Sequence, residues 1–329
     1  MRSHPTLSEH LAGPHQNEMT RYLQIVAEVE HYLHSFGPFL QVTARAYFQK
    51  MAKGEFSQVV ALLPYWLSDI LPLSERVIHQ LGIAHLFGWW YYEVQDKLLD
   101  EETAAPALLA AQLALFKMME IYQQLGITGS LHWGKWEELA LQSANSYALE
   151  RQTRFESLSE ISADDLEAWD VEFIIERASP FYFNTMVQLH LAGIDDENPF
   201  YERVLTALRY FAAARQITDD ACDWLDDLRT GRLNYVSARL LEHIQTHANP
   251  THDLDIDYLV GYQLTNESFW AEIEQTNQQL SQQALMELSD YPSCHLATLI
   301  KAQMLKHAKG WNLLHNERAI FLQLFGVTA

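Results

Sequence analysis

The segment QITDDACDWLDDLRTGR occupies residues 216–232 and carries five aspartates, Asp219, Asp220, Asp223, Asp226 and Asp227. Asp219, Asp223 and Asp227 recur every four residues, a spacing that stacks them on one face of a helix. Ile217, Ala221, Leu225 and Leu228 form an apolar stripe beside them, so the segment reads as an amphipathic helix and not as a disordered acidic tract. Like charges four apart weaken a helix by roughly 0.2–0.5 kcal/mol per pair, and aspartate is a poorer helix former than glutamate. A merely solvated face would carry Glu and Lys. Aspartates without glutamate read as short, stiff oxygen ligands for a cation. Asp220 and Asp226 fall off the stripe and read as solvating residues or as supports for Arg215 and Arg232.

Outward from this segment the chain reads as amphipathic helices with short breaks. Helices are expected over 17–35, 41–53, 74–102, 105–125, 133–158, 163–191, 199–229, 236–245, 266–289 and 295–324. Ser162 followed by Ala-Asp-Asp is a helix start, Pro199 suits a first turn, and Gly193 and Gly231 read as stops. Residues 247–257 (HANPTHDLDID) form the one clear polar break. With 13 glycines and 10 prolines in 329 residues and no alternating β-branched run, the fold class is all-α. The expected architecture is a single domain of about ten or more helices over residues 16–329, preceded by a loosely ordered segment 1–15.

Charge narrows the function. Lys plus Arg number 22 against 43 Asp plus Glu, a formal −21, which argues against nucleic acid and against anionic membrane. The longest apolar run, residues 106–116, is too short to span a bilayer, and the first twenty residues lack a signal-peptide core. Cys222 and Cys294 make neither a disulfide framework nor a zinc pattern, so a cytoplasmic protein is expected. The 15 histidines are scattered without ligand spacing, and there is neither a Ser/His/Asp arrangement nor a glycine-rich phosphate loop.

A second acidic segment lies upstream, FGWWYYEVQDKLLDEE at 87–102, in which Asp96 and Asp100 are neighbours on one helix face. Tyr92 and Trp89 share that face one and two turns earlier. Hard carboxylate oxygens suit Mg²⁺, which takes one or two carboxylates and leaves its other positions to water and substrate phosphate.

The two acidic helices resemble those of the class I isoprenoid synthase superfamily, which includes prenyl diphosphate synthases, squalene/phytoene synthases and terpene synthases. Gln216-Ile-Thr-Asp219-Asp220-Ala-Cys-Asp223 is similar to the second aspartate-rich motif of chain-elongating prenyl synthases. Asp223-Trp-Leu-Asp226-Asp227-Leu-Arg-Thr-Gly231-Arg232 is similar to the squalene/phytoene synthase motif. The Asp219, Asp223, Asp227 spacing matches the metal triad of terpene synthases, and Asp96 and Asp100 stand where the first motif would be. The resemblance implies a helical bundle around a central cavity. It implies Mg²⁺, about three ions per site, held by Asp96, Asp100, Asp219, Asp223 and Asp227. The substrate would be a prenyl diphosphate that ionises to an allylic cation and pyrophosphate.

The same resemblance places Arg177, in Ile-Glu-Arg-Ala-Ser-Pro, as a diphosphate-binding residue, against the plainer reading of a surface arginine paired with Glu172 or Glu176. Arg232 would close on the diphosphate as part of its motif. Trp89, Tyr92 and Phe181 would line the apolar cavity, where aromatic faces stabilise cations. Chain-elongating synthases carry a Gly-Gly-Lys segment upstream and an Arg pair after the first motif. Here Asp100 is followed by EETAAPALLAAQ, and no Gly-Gly-Lys precedes it. These departures favour a one-substrate terpene synthase giving a hydrocarbon or alcohol, with a linear or cyclised C20 diphosphate as the expected substrate. A two-substrate prenyltransferase, head-to-head or elongating, is the alternative, and a non-catalytic helical protein binding Mg²⁺ or a prenyl ligand is the third reading. A homodimer is compatible with all three.

Overall fold

The computed structural model describes residues 15–100, 106–127, 131–248 and 254–324. Among the described residues there are fourteen α-helices and no strand. They fall into two compact units, each drawn from three stretches of chain: 1–136, 183–198 and 294–296 in the first, 137–182, 199–293 and 297–329 in the second. The expected N-terminal segment 1–15 lies, apart from His15, outside the described residues.

The first unit contains α1 (His15–Leu33), α2 (Pro38–Met51), α3 (Glu55–Trp66), α4 (Glu75–Leu99) and α5 (Pro106–Gln124). Helix α4 packs against α1, α3 and α5, and α2 lies against α5. Between Leu81 and Gly88 every residue of α4 is buried, which makes it the core helix of the unit. Gly82 permits this: a Cβ there would meet the Ala61 carbonyl at 2.7 Å and Ile25 Cδ1 at 2.8 Å. Ser74 caps the start of α4 through the Val77 N–H.

The second unit holds most of α6 (Leu131–Gln152), then α7 (Ala163–Glu167), α8 (Val171–Arg177) and the first turn of α9 (Pro180–Leu191). Its remaining helices are α10 (Pro199–Arg229), α11 (Tyr235–His247), α12 (Ile256–Thr265), α13 (Glu267–Glu287) and nearly all of α14 (His295–Leu324). Helix α10 is the spine, with α13 along its length and α8, α11 and α12 also against it.

Several sequence expectations hold and others need correction. The bounds of α10 and α14 coincide with the expected ones, and the Ser162 capping box is present. Gly193 and Gly231 end their helices at φ +76° and +72°. In each case the next residue's N–H reaches back to a carbonyl five residues earlier, Ile194 to Leu189 and Arg232 to Asp227. The helix expected over 163–191 is instead three: Asp170 accepts the Phe173 N–H and starts α8, and α9 begins afresh at Pro180. Helix α3 is absent from the expected set because it is buried from Val59 to Trp66, so it shows no polar face, and it carries Pro64 in its interior. Helix α12 begins inside the polar stretch that reads as a break, where Asp255 caps it.

Candidate functional site

In the second unit, the buried face of α10 runs through Ile217, Asp220, Trp224 and Leu228. The expected apolar stripe is thus partly right: Ile217 and Leu228 are buried, whereas Ala221 and Leu225 are only partly so. Asp219, Asp223 and Asp227 follow one another along a neighbouring face, Asp223 exposed and the other two half-buried. Asp219 sits 3.1 Å from Arg215 Nη1. Asp227 meets Arg232 Nη2 at 3.0 Å and accepts from Asn234 Nδ2 at 2.8 Å. Asp226 is 85% exposed beside Arg229, in keeping with a solvating role.

Asp220 is not the solvating residue expected. Only 6% exposed, it accepts from Gln216 Nε2 at 2.7 Å and from the Tyr235 backbone N–H at 3.0 Å. Asn234 Nδ2 also reaches the Asp220 carbonyl, at 3.3 Å. Burial pushes the Asp220 carboxyl up to about 7, against the opposing pull of its two hydrogen-bond donors and of Arg177, while Asp227 adds to the rise. Asp220 therefore fastens the start of α11 to α10, and Asn234, the N-cap of α11, orients Asp227. The Asn-Tyr-Val-Ser sequence at 234–237, a capping box, is the sequence signal for this.

Arg232 reaches Asp227 because the chain reverses at Gly231. Its φ of +72° suits glycine, and a Cβ there would run into the Phe155 carbonyl oxygen. The Phe155 N–H in turn donates to the Gly231 carbonyl at 3.1 Å. Gly231→Ala is accordingly expected to lower stability by about 1–3 kcal/mol, seen as an earlier urea-unfolding midpoint. An unchanged midpoint would mean that this crossing is not under the constraint described.

Arg177 is the last residue of α8. Its Nε lies 3.1 Å from Glu150 Oε2 of α6, and its guanidinium lies over the Tyr147 ring, 5.0 Å from the centroid. Both partners of the ion pair are largely buried, and Arg177 is close enough to Asp220 to lower its carboxyl. An arginine so placed is a positioned charge and not a surface one. Phe181 lies partly exposed in the first turn of α9, its ring 5.8 Å from that of Tyr182.

In the first unit, Asp96 and Asp100 occupy the end of α4, Asp100 as its C-cap. Carboxylates at a helix C-terminus oppose the helix dipole. Lys97, at the same end of the helix, pairs with Glu93, 3.1 Å away. Burial raises the Glu93 carboxyl, with Lys97 pulling the other way. Glu93 is thus a third acid at this end of the helix, one turn before Asp96 and Lys97, and its helical spacing from both is the sequence signal for it. Trp89 donates from Nε1 to Ser57 Oγ at 3.1 Å and stands edge-on to Phe56. Tyr92 contacts Tyr91 and Trp136.

No three His, Cys, Asp or Glu side chains among the described residues gather into a metal cage. An all-oxygen set of partly exposed aspartates instead fits an ion that takes one or two carboxylates and completes its shell with water and phosphate, as Mg²⁺ does. No helix among the described residues is long and apolar enough to cross a membrane.

No protein-family model and no curated protein matches the sequence. Solved structures do match in fold. A geranylgeranyl pyrophosphate synthetase from the archaeon Geoglobus acetivorans aligns with TM-score 0.64 and 17% identity, over 87% of this chain and 97% of that one. A decaprenyl diphosphate synthase from Rhodobacter capsulatus aligns with TM-score 0.68 and 13% identity, over 88% and 97%. At such identities the likeness is one of architecture, and this chain has the all-α isoprenoid synthase fold.

Proposed function

We propose that this chain is a Mg²⁺-dependent prenyltransferase that ionises an allylic prenyl diphosphate and joins the resulting cation to a second prenyl diphosphate. The observation that carries this reading is the fold shared with two prenyl diphosphate synthases over 87% and 88% of the chain. It displaces the one-substrate terpene synthase as first choice. Asp219, Asp223 and Asp227 on α10 would each offer a carboxylate to Mg²⁺, and so would Asp96 and Asp100 on α4. When bound, Mg²⁺ offsets the negative charge that builds on the departing diphosphate. Arg177, already oriented by Glu150, would add a fixed positive charge, and Arg232 would exchange Asp227 for the diphosphate. Trp89, Tyr92 and Phe181 would face the hydrocarbon chain. Such chemistry on soluble prenyl diphosphates suits a cytoplasmic enzyme.

The terpene synthase remains the second reading on one specific observation. The stretch EETAAPALLAAQ after Asp100 carries no arginine, and no Gly-Gly-Lys precedes Asp96, so the usual cations for a second diphosphate are absent from the sequence. The test is incubation of purified protein and Mg²⁺ with C10 to C20 prenyl diphosphates, singly and with isopentenyl diphosphate. Organic extracts would be read by mass spectrometry. A longer prenyl diphosphate, or a head-to-head hydrocarbon from two diphosphates, is the expected result. Hydrocarbon or alcohol with the substrate's own number of carbons as the only product, whether or not isopentenyl diphosphate is present, would move the assignment to the terpene synthase. Metal binding without turnover would leave a non-catalytic ligand-binding protein.

A further inference from the structure

Helix α14 has two opposite faces. His307, Trp311, Arg318 and Leu322 are buried at helical spacing and face into the second unit. There Arg318 Nε donates to the Leu264 carbonyl at 2.6 Å, and His315, beside this face, lies 2.9 Å from Glu274 of α13. On the side away from these contacts Leu305, Leu313, Ile320 and Leu324 are 57% to 78% exposed. Their spacing gathers them into one sector of the helix, over about 28 Å of its length. Single exposed aliphatic side chains are ordinary on a protein surface, but a row of them along one helix marks a face that is covered in use.

The charge of this helix runs against that of the chain. Residues 295–324 hold four of the 22 lysines and arginines and one of the 43 acids, Glu317. Lys301 and Lys309 are exposed and flank Leu305, one turn before it and one turn after. Asn312, Asn316 and Gln323, exposed among the aliphatic residues, are uncharged. Lys306 is exposed too, but it is close enough to α10 to act on the Cys222 thiol, so its charge is shared with that helix. The acids of α13 approach α14 away from this face, Glu274 at His315 and Glu267 at 4.0 Å from Arg318. The chain's formal −21 opposes an anionic surface as a whole. At physiological ionic strength, however, such fields fade over about 8 Å, and the charges at the contact decide. Leucine and isoleucine suit the acyl boundary of a bilayer, and lysine stems are long enough to keep their ammonium groups among the lipid phosphates. A second copy of the chain presenting the same face would add basic charge to basic charge, with only Glu317 to offset it.

We propose that the outward face of α14, Leu305, Leu313, Ile320 and Leu324 with Lys301 and Lys309, docks on an anionic lipid surface, the helix lying along the headgroups. Such docking is peripheral, since no helix among the described residues is long and apolar enough to cross a membrane. It is independent of the proposed reaction.

The test mixes the full chain with vesicles of phosphatidylcholine alone, or with about one third phosphatidylglycerol, and reads bound protein by co-sedimentation at low and physiological salt. Wild type is expected to bind the anionic vesicles and to bind them less as salt rises. Lys301→Ala with Lys309→Ala is expected to weaken this binding by about 30-fold, and Leu313→Ser with Ile320→Ser by about tenfold or more. All four side chains are exposed, so the helical circular dichroism should be kept. Glu317→Lys is expected to tighten binding by about fivefold or more, a gain that misfolding does not predict. No binding to anionic vesicles, equal binding to neutral ones, or binding unchanged in both paired variants would overturn the proposal. Self-association that Leu313→Ser with Ile320→Ser abolishes, without vesicle binding, would overturn it and give the face to a second copy. Each of these results leaves the proposed prenyl transfer untouched, because that is read from its products.

Discussion

Asp223→Ala is expected to slow pyrophosphate release from a prenyl diphosphate by about 100-fold or more, the scale on which removal of one charge-stabilising group acts. The helical circular dichroism should be nearly unchanged. The choice of residue rests on exposure, since Asp219 and Asp227 are half-buried and Asp227 also accepts from Asn234. Asp223 is exposed, one turn from each, and exposed substitutions usually shift stability by about 0.5 kcal/mol or less. Its removal also relieves like-charge repulsion along the helix. Asp226→Ala is the matched control, since Asp226 is 85% exposed and points away from the stripe. Equal, wild-type release from both variants would remove the α10 stripe from the metal site.

The stripe itself is legible in the sequence because period and punctuation agree. Pro199 opens α10, Gly231 closes it, and nothing between them breaks the four-residue recurrence of Asp219, Asp223 and Asp227. Period alone does not reveal which sector of a helix is buried. Charge is the usual guide to the outside, and Asp220 shows how that guide fails. A carboxyl can face the interior when the N-terminus of the next helix, here Tyr235, and an amide one turn back, here Gln216, supply donors. Helix α3 is illegible for the converse reason, since burial on all sides erases the polar face that amphipathic reading depends on. Arg177 is visible as a charge but not with its partner, because Glu150 belongs to a helix distant in sequence.

The choice between one and two substrates turns on evidence of two kinds. Missing arginines are a statement about local recognition, whereas the fold likeness covers nearly the whole chain. Ionisation comes first in both proposed chemistries, and the product is then set by the nucleophile that reaches the cation. Water, a second prenyl chain and proton loss would compete for the same intermediate.

The largest structural effect is expected at Asp220, and it carries a pH signature. Asp220→Ala leaves the Tyr235 N–H and the Gln216 amide without their acceptor inside the protein, and a loss of about 3–4 kcal/mol is expected. Asp220→Asn separates shape from charge. The asparagine keeps one acceptor for Tyr235, and the Gln216 amide can turn to accept from the new NH₂. In the folded protein Asp220 titrates at about 7, against about 3.9 for an unperturbed aspartate. Over the interval between these values the folded chain keeps a proton that the unfolded chain has released. The stability associated with that proton is fully present below about pH 4 and is lost as pH rises through about 7. His307 works in the opposite sense: burial, with Lys306 and Arg215 adding to it, lowers its imidazole to about 4, so its contribution grows as pH rises toward the ordinary histidine value. The two overlap, and the melting temperature of wild type alone would conceal both. The difference between Asp220→Asn and wild type isolates Asp220 and should grow in favour of the variant from pH 5 to pH 7.5, levelling above that. A difference that is flat across this range would mean that Asp220 is already ionised in the fold at pH 5. The carboxyl that anchors α11 to α10 would then be held as an anion by Gln216, Tyr235 and Arg177.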